Sequence, residues 1–437
     1  MRAVVIGGGY GGMAAAVRLA KLGHRVSLVE AADAVGGALR PVRRDGFVWD
    51  ASATSTLLPA VMRDLFRKSG RPLERELDLE PLPVLRQHHF ADGSTLRLAG
   101  GRGAQVAAFE ELADGLGQRW ADYVAGYAED WEVLRKNYFE VPWDPAGLPR
   151  ELTERFGSRQ TLARRLRRAF KDERARLVAA HPFLAEGHAL RDVPAWAGLS
   201  AYLEQRFGGW RPVGGMAGLA RALEARLATR RVEVLTATTA LDLVVRAGRV
   251  AAVATSAGEI DADAVVVAID PRRLPALRAQ VAATLPALPP AITHVGLAEP
   301  PDHLAGLPAE LVLHGDPTLV LRTARTAAGP AWTVHSYGTL LEDVLLALAR
   351  HRIDGRSLDV RDLVITRVDL GPAELVRRWG GSPYGVRWAG RRTVFRRLGP
   401  STPIPGVYAA GAHANPGAGL PYVGLSAALV AQAIGPA

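Results

Sequence analysis

The chain contains no cysteine. That excludes disulfides, thiolate nucleophiles, cysteine-held iron–sulfur clusters and any prosthetic group tethered through sulfur. It suits a reducing compartment, and a cytoplasmic location is the expectation. Lysine is scarce, occurring only at positions 21, 68, 136 and 171, so arginine carries nearly all of the formal charge of +10. Long apolar runs are also missing. The longest stretch free of Asp, Glu, Lys and Arg, Leu398 to Ala437, is interrupted by Pro400, Pro403, Pro405, Pro416 and Pro421. The segment beyond Pro421 is shorter than the roughly 20 residues a membrane-crossing helix needs, so it reads as buried core. Met1 leads straight into an apolar strand, which leaves no room for a signal peptide. No nucleic-acid-binding module accompanies the positive charge, and no nucleic-acid partner is expected. The charge reads either as arginine-rich composition or as attraction to anionic lipid head groups, which would place the protein at the inner membrane face. No metal site is expected. His88 and His89 are neighbours on a strand and point to opposite faces, and no other His or carboxylate spacing resembles a ligand set.

What is present begins at once. Ala3, Val4, Val5 and Ile6 read as a short buried strand. It runs into Gly7-Gly8-Gly9-Tyr10-Gly11-Gly12, then a helical pattern that stops at Gly23, then a strand from Arg25 that ends on Glu30. Strand, Gly-x-Gly-x-x-Gly, helix, strand and acid in this order form a dinucleotide-binding unit. Gly7 permits the tight turn, Gly9 lets backbone approach a pyrophosphate, and Gly12 lets the helix close on the sheet. The helix start, with Tyr10 and Gly11, presents unpaired N–H groups and a positive dipole end to phosphates. Glu30 is placed to accept hydrogen bonds from ribose hydroxyls.

With 437 residues, 48% of them hydrophobic, the chain is long enough for two or three domains. A helix is expected over 57–67. A hairpin about Asp92-Gly93 joins strands at 84–90 and 94–98. Residues 103–207 read as mostly helical. Trp120, Tyr123, Tyr127, Trp131, Leu134 and Tyr138 recur at helical spacing as one aromatic face, which is either core packing or the wall of an apolar pocket or lid. Gln160 to Leu177 forms a basic amphipathic helix candidate, either a solvated face or a peripheral membrane contact. A glycine turn at 208–215 opens a helix over 217–229, and strands come next at 232–235, 240–246, 249–256 and 264–269. Another helix starts at Asp270. Strands at 311–314 and 332–337 and a helix at 340–352 complete the middle of the chain. Near the end, Val407 to Ala410 is a strand and Pro421 opens a helix running to Ile434.

Two further stretches carry a family resemblance. Gly36-Gly37-Ala38-Leu39-Arg40 comes just after the ribose acid, and Gly411-Ala412-His413-Ala414-Asn415-Pro416-Gly417-Ala418-Gly419-Leu420-Pro421-Tyr422-Val423 lies near the C-terminus. Together with the first motif they resemble the phytoene desaturase (carotenoid dehydrogenase) branch of the FAD-dependent amine oxidase and desaturase superfamily. The resemblance implies an α/β chain with a discontinuous Rossmann-like FAD-binding domain, over 1–75, 206–288 and 391–437. A second, mixed α+β substrate or cap domain would occupy 76–205 and 289–390. It implies FAD held by Gly7, Gly9, Tyr10, Gly11, Gly12, Glu30, Gly36, Gly37, Arg40, Val234 (its strand beside the adenine), Gly411, Ala412, Gly419, Pro421, Tyr422 and Val423. The N–H groups of Tyr422 and Val423, at a helix start, would face the flavin edge.

The implied activity is dehydrogenation or isomerisation of an apolar isoprenoid or polyene. A flavin amine oxidase, a saturating reductase and a non-catalytic binding protein are the rival readings. The absence of lysine after Lys171 counts against the first, because many amine oxidases place one near the flavin. Three positions depart from the family pattern. Ala38 replaces an arginine, Asp50-Ala51-Ser52-Ala53-Thr54 replaces Asp-x-Gly-Pro-Thr, and Ala414-Asn415 replaces Thr-His. The last removes a titratable group, so no catalytic acid or base is assigned.

Overall fold

The computed structural model describes residues 1–142, 144–338 and 341–437. Two sheets organise them. In chain order their strands are β1 (Arg2–Ile6), β2 (Arg25–Val29), β3 (Arg86–His89), β4 (Thr95–Leu98), β5 (Glu233–Leu235) and β6 (Ala264–Val267). They continue with β7 (Ala291–Leu297), β8 (Glu310–Leu313), β9 (Leu319–Thr326), β10 (Gly329–Ser336), β11 (Val364–Leu370) and β12 (Val407–Ala409).

The first sheet has the order β12-β6-β1-β2-β5, and every pairing is parallel. Its strands come from three distant stretches of the chain. Ala3 to Ile6 and Ala264 to Val267 are buried throughout, as continuous β-branched runs are when both faces of a parallel sheet are covered. Helix α1 (Tyr10–Lys21) covers one face and packs on α2 (Pro59–Ser69) and on the C-terminal helix Leu420–Ile434. The C-terminal ends of β1, β2, β6 and β12 therefore share one edge, where open α/β sheets bind ligands.

The second sheet has the order β11-β7-β10-β9-β8-β3-β4, antiparallel except between β8 and β3. One face is apolar: Val295, Leu311, Leu313, Leu319, Leu321, Trp332 and Val334 form a core under the helix Val344–Ala349. Asp343 caps that helix. The helix expected from 340 thus starts later, and Leu340 itself lies outside the described residues.

The helical layer departs most from expectation. The aromatic stripe spans two helices, α3 (Leu116–Ala125) and α4 (Ala128–Leu134), and a π-helical turn, Arg135–Phe139. The chain turns at Gly126, yet both helices face the same core. Trp120, Tyr123, Tyr127, Leu134 and Tyr138 are all buried there, with Trp120 stacked 4.0 Å from Phe109. The stripe is core packing. The basic stretch is likewise split, into α5 (Leu162–Ala169) and α6 (Glu173–Leu184). Asp172 starts the second helix by accepting from the Arg174 N–H at 2.8 Å. Arg165 and Arg174 are half-buried. The first lies 3.6 Å over the Tyr127 ring and the second pairs with Asp172. The helix expected at Asp270 is broken into two 3-10 turns, Pro271–Arg273 and Pro275–Leu277, and a short α-helix, Arg278–Val281.

Candidate functional site

The glycine loop after β1 is built as its sequence requires. Gly7 has φ +102°, a left-handed conformation suited to glycine. A Cβ on Gly12 would collide with the Gly7 carbonyl oxygen, so α1 can close on the turn only without a side chain there. A Cβ on Gly9 would meet nothing within 4 Å. The N–H groups of Tyr10, Gly11 and Gly12 make no hydrogen bond among the described residues; the first helical bond runs from Met13 N–H to Gly9 O. Open space over a helix start with free donors is a receptacle for a phosphate or diphosphate.

A second loop closes on the first. Gly36 N–H donates to Gly8 O at 2.7 Å, and a Cβ on Gly37 would stand 3.0 Å from the Gly9 Cα. Glu30 holds both loops, accepting from Gly8 N–H at 2.6 Å and Ala32 N–H at 2.8 Å. Each carboxylate oxygen keeps a further lone pair for a ribose hydroxyl. Arg40 forms an ion pair with Asp33 at 2.8 Å on the exposed rim. Val234 lies on edge strand β5, in register with Leu28. The Tyr10 side chain points into the core, its hydroxyl buried without a partner and its pKa raised by burial.

The C-terminal loop meets the first motif directly. A Cβ on Gly11 would stand 2.8 Å from the Gly411 Cα, so these two glycines let separate ends of the chain touch. Gly411 N–H donates to Ser426 Oγ at 2.8 Å, and Ala412 beside it is half-buried. Gly419, at φ +96°, leads into the final helix, with Pro421 in its first turn. Val423 N–H is consumed by Gly419 O at 2.9 Å, which removes it from the expected flavin-facing donors. The Leu420 and Tyr422 N–H groups make no bond among the described residues and remain available. Asn415 is a structural hub. It accepts from Tyr138 OH at 2.9 Å and donates to the Val394 and Arg397 carbonyls at 3.1 and 3.2 Å. His413 is buried against Ser382 O at 3.0 Å, its pKa lowered chiefly by burial.

Several further residues shape the site. Asp50 accepts from Met216 N–H at 3.1 Å and so caps the helix Gly215–Thr229; burial raises its pKa. Arg322 reaches across from β9 and donates to Ser52 O at 2.5 Å, and Ser52 Oγ donates to Ala38 O at 3.1 Å, beside Gly37. Arg322, Tyr337, Tyr384 and Tyr422 lie deep in the protein yet are half-buried rather than sealed. We infer from this that they border an internal chamber, between the second sheet, the 380s segment and the C-terminal helix.

The pattern of the family described as flavin containing amine oxidoreductase matches residues 10–328. Over 99% of its length the chain is 26% identical to 4,4'-diapolycopene oxygenase of a Methylomonas species, covering 98% of that protein. Over 99% it is 29% identical to the hydroxyneurosporene desaturase of Cereibacter sphaeroides, covering 97% of it. Cyclohexylamine oxidase from Brevibacterium oxydans has a similar fold, with a TM-score of 0.66 at 16% identity, over 99% of both chains. With the α/β fold and these similarities together, the chain belongs to the flavin-containing amine oxidoreductase family and is an FAD-dependent oxidoreductase.

Proposed function

We propose that this protein dehydrogenates a long apolar polyene. The observation that carries the reading is end-to-end similarity to two proteins named for acting on diapolycopene and hydroxyneurosporene. FAD, when bound, supplies the two-electron acceptor. The chain's own residues then bind, orient and exclude water. In this reading Gly7, Gly9, Gly11 and Gly12 seat the diphosphate, Glu30 the ribose, and Val234 the adenine. Gly36 and Gly37 fold over the diphosphate, with Arg40 steadying that loop through Asp33. Gly411, Ala412, Gly419, Pro421 and the Tyr422 N–H border the flavin. Residues 1–75, 206–288 and 391–437 act as the cofactor domain, and 76–205 with 289–390 as the substrate domain.

The test is anaerobic mixing of the FAD-loaded protein with a polyene or with an alkyl amine. The expected result is loss of flavin absorbance and lengthened conjugation with the polyene only. Reduction by the amine alone would overturn the reading.

We also propose peripheral contact with anionic membrane. Arg164, Arg167, Arg168 and Lys171 are exposed around α5, and each basic residue near a lipid surface contributes about 1 kcal/mol. Among the described residues no helix is long and apolar enough to cross a membrane. Equal recovery on neutral and anionic liposomes would rule the contact out.

A further inference from the structure

The second sheet turns a polar face toward the chamber. In strand register, Glu310 stands opposite Arg322, Arg322 opposite Thr333, and Thr333 opposite His294. These four cross the sheet as one row, on the face opposite the leucine core. The row is partly self-satisfied. Arg322 Nε donates to Glu310 at 2.8 Å, and His294 Nδ1 shares a 2.9 Å hydrogen bond with Thr333. Arg322 spends Nη1 on Ser52 O. Its Nη2 makes no hydrogen bond among the described residues, and neither does the Tyr384 hydroxyl. The Tyr337 hydroxyl has only a 3.5 Å contact with His335.

None of these donors is sealed inside the protein, so an acceptor entering the chamber can reach them. A chamber for a pure hydrocarbon would need none of them. The charge of the row narrows the acceptor. Glu310 neutralises Arg322, and the buried Arg86–Glu204 pair beside it is also balanced, at 2.8 Å. Within these two pairs no positive charge is left over to call for a carboxylate. Glu186 adds negative potential at Tyr337, Tyr384 and Tyr422.

We propose that the substrate is a polyene carrying a neutral oxygen, a hydroxyl or carbonyl, near one end, and that Arg322 Nη2 with the Tyr337 and Tyr384 hydroxyls holds that oxygen. This rests on the polyene reading and makes Arg322, Tyr337 and Tyr384 specificity-determining residues.

The experiment compares two polyenes of equal length and conjugation, one a hydrocarbon and one with a terminal hydroxyl. Each is presented in micelles to the FAD-loaded protein, and anaerobic flavin reduction is monitored over a concentration series. The hydroxylated polyene should half-saturate the wild type at a concentration roughly ten- to a hundred-fold lower, the usual effect of one hydrogen bond to a charged group. Tyr384→Phe should shrink that ratio by weakening the hydroxylated substrate and leaving the hydrocarbon unchanged, and Arg322→Lys should shrink it as well. Tyr384→Phe removes one surface-facing oxygen and keeps the test usable where Arg322→Lys fails to fold. Equal half-saturation of the wild type by both polyenes overturns the oxygen site and keeps the polyene reading. Reduction by neither overturns both. Loss of FAD from Tyr384→Phe assigns that hydroxyl to the cofactor and overturns the proposal. Tighter binding of a carboxyl-ended polyene than of the hydroxylated one overturns the choice of a neutral oxygen.

Discussion

Separate alanine substitutions at Gly9 and Gly12 should split two properties that the first loop combines. Gly9 has φ −71° and ψ −178°, open to any L residue, and a Cβ there touches nothing within 4 Å. Gly9→Ala should therefore leave the FAD-free fold intact. Reduced freedom of the unfolded chain should add about 0.4–1 kcal/mol of stability. The same methyl group fills the space assigned to the diphosphate. FAD affinity should fall at least about tenfold, equivalent to ~1.4 kcal/mol.

Gly12 behaves in the opposite way. Its Cβ would collide with the Gly7 carbonyl oxygen and lie 3.3 Å from the Ala268 Cβ. The colliding atom is backbone at the end of a central strand, so no side-chain rotation relieves it. Overpacking of this kind costs about 1–3 kcal/mol, and more where backbone must shift. Gly12→Ala should sit at or beyond the top of that range. Urea unfolding of the FAD-free proteins gives the first quantity, and quenching of flavin fluorescence on titration gives the second. If Gly9→Ala unfolds at lower urea than wild type, or binds FAD with unchanged affinity, the assignment of that space to the cofactor is wrong.

Asn415→Ala removes the hydrogen bond to Tyr138 OH and frees the Val394 and Arg397 carbonyls in a buried site. At about 1–3 kcal/mol for each unsatisfied buried group, the protein should lose several kcal/mol in the same urea assay. A loss under about 1 kcal/mol would mean water replaces the amide. Acid should also weaken the fold. Burial holds His294 and His314 down to about 4 and lowers His88, His181 and His335 as well. The unfolded chain protonates near 6.5, so stability is complete above that pH. It falls between about 6.5 and 4 as the unfolded chain alone takes up protons at His294 and His314, by up to ~1.4 kcal/mol per pH unit for each of these two. A flat urea midpoint across that window would contradict the burial. Gly419→Val forces a branched side chain into φ +96° and should displace the Tyr422 N–H. Flavin reduction should slow by about a hundred- to a thousand-fold with FAD retained, and wild-type stopped-flow rates would reduce the run to a packing element.

The first strand–turn–helix–strand unit was legible in the sequence because its constraints are local. Gly7, Gly12 and Glu30 are read from spacing along one strand–helix–strand unit, and each sits where that spacing requires. Val423 was misassigned although counting sufficed: with the helix starting at Leu420, its N–H reaches back to Gly419 O. The stretch 160–177 was misread for a similar reason. Asp172-Glu173 is an N-cap signature, and an amphipathic stripe continued past it only because α5 and α6 present apolar residues to one core. Gly126 left no comparable trace. Residues three or four apart kept facing inward on both sides of the turn, so periodicity alone could not separate one helix from two.

The substrate end was illegible for a different reason. Leu319, Leu321 and Trp332 alternate with Val320, Arg322 and Thr333 along their strands, and alternation of this kind ordinarily marks a core face and a solvent face. Here the second face is interior as well. Only the pairings of β7 with β10, β10 with β9 and β9 with β8 bring His294, Thr333, Arg322 and Glu310 into line. The Ser52 carbonyl ties that line to the glycine loops. Strand alternation reports which residues share a face, whereas burial of that face is set by what the rest of the chain lays over it. A charged residue on such a strand therefore reads as surface until the fold is known. Arg322, which the sequence offers as one arginine among many, is the group that joins the cofactor end of the chamber to its polar wall.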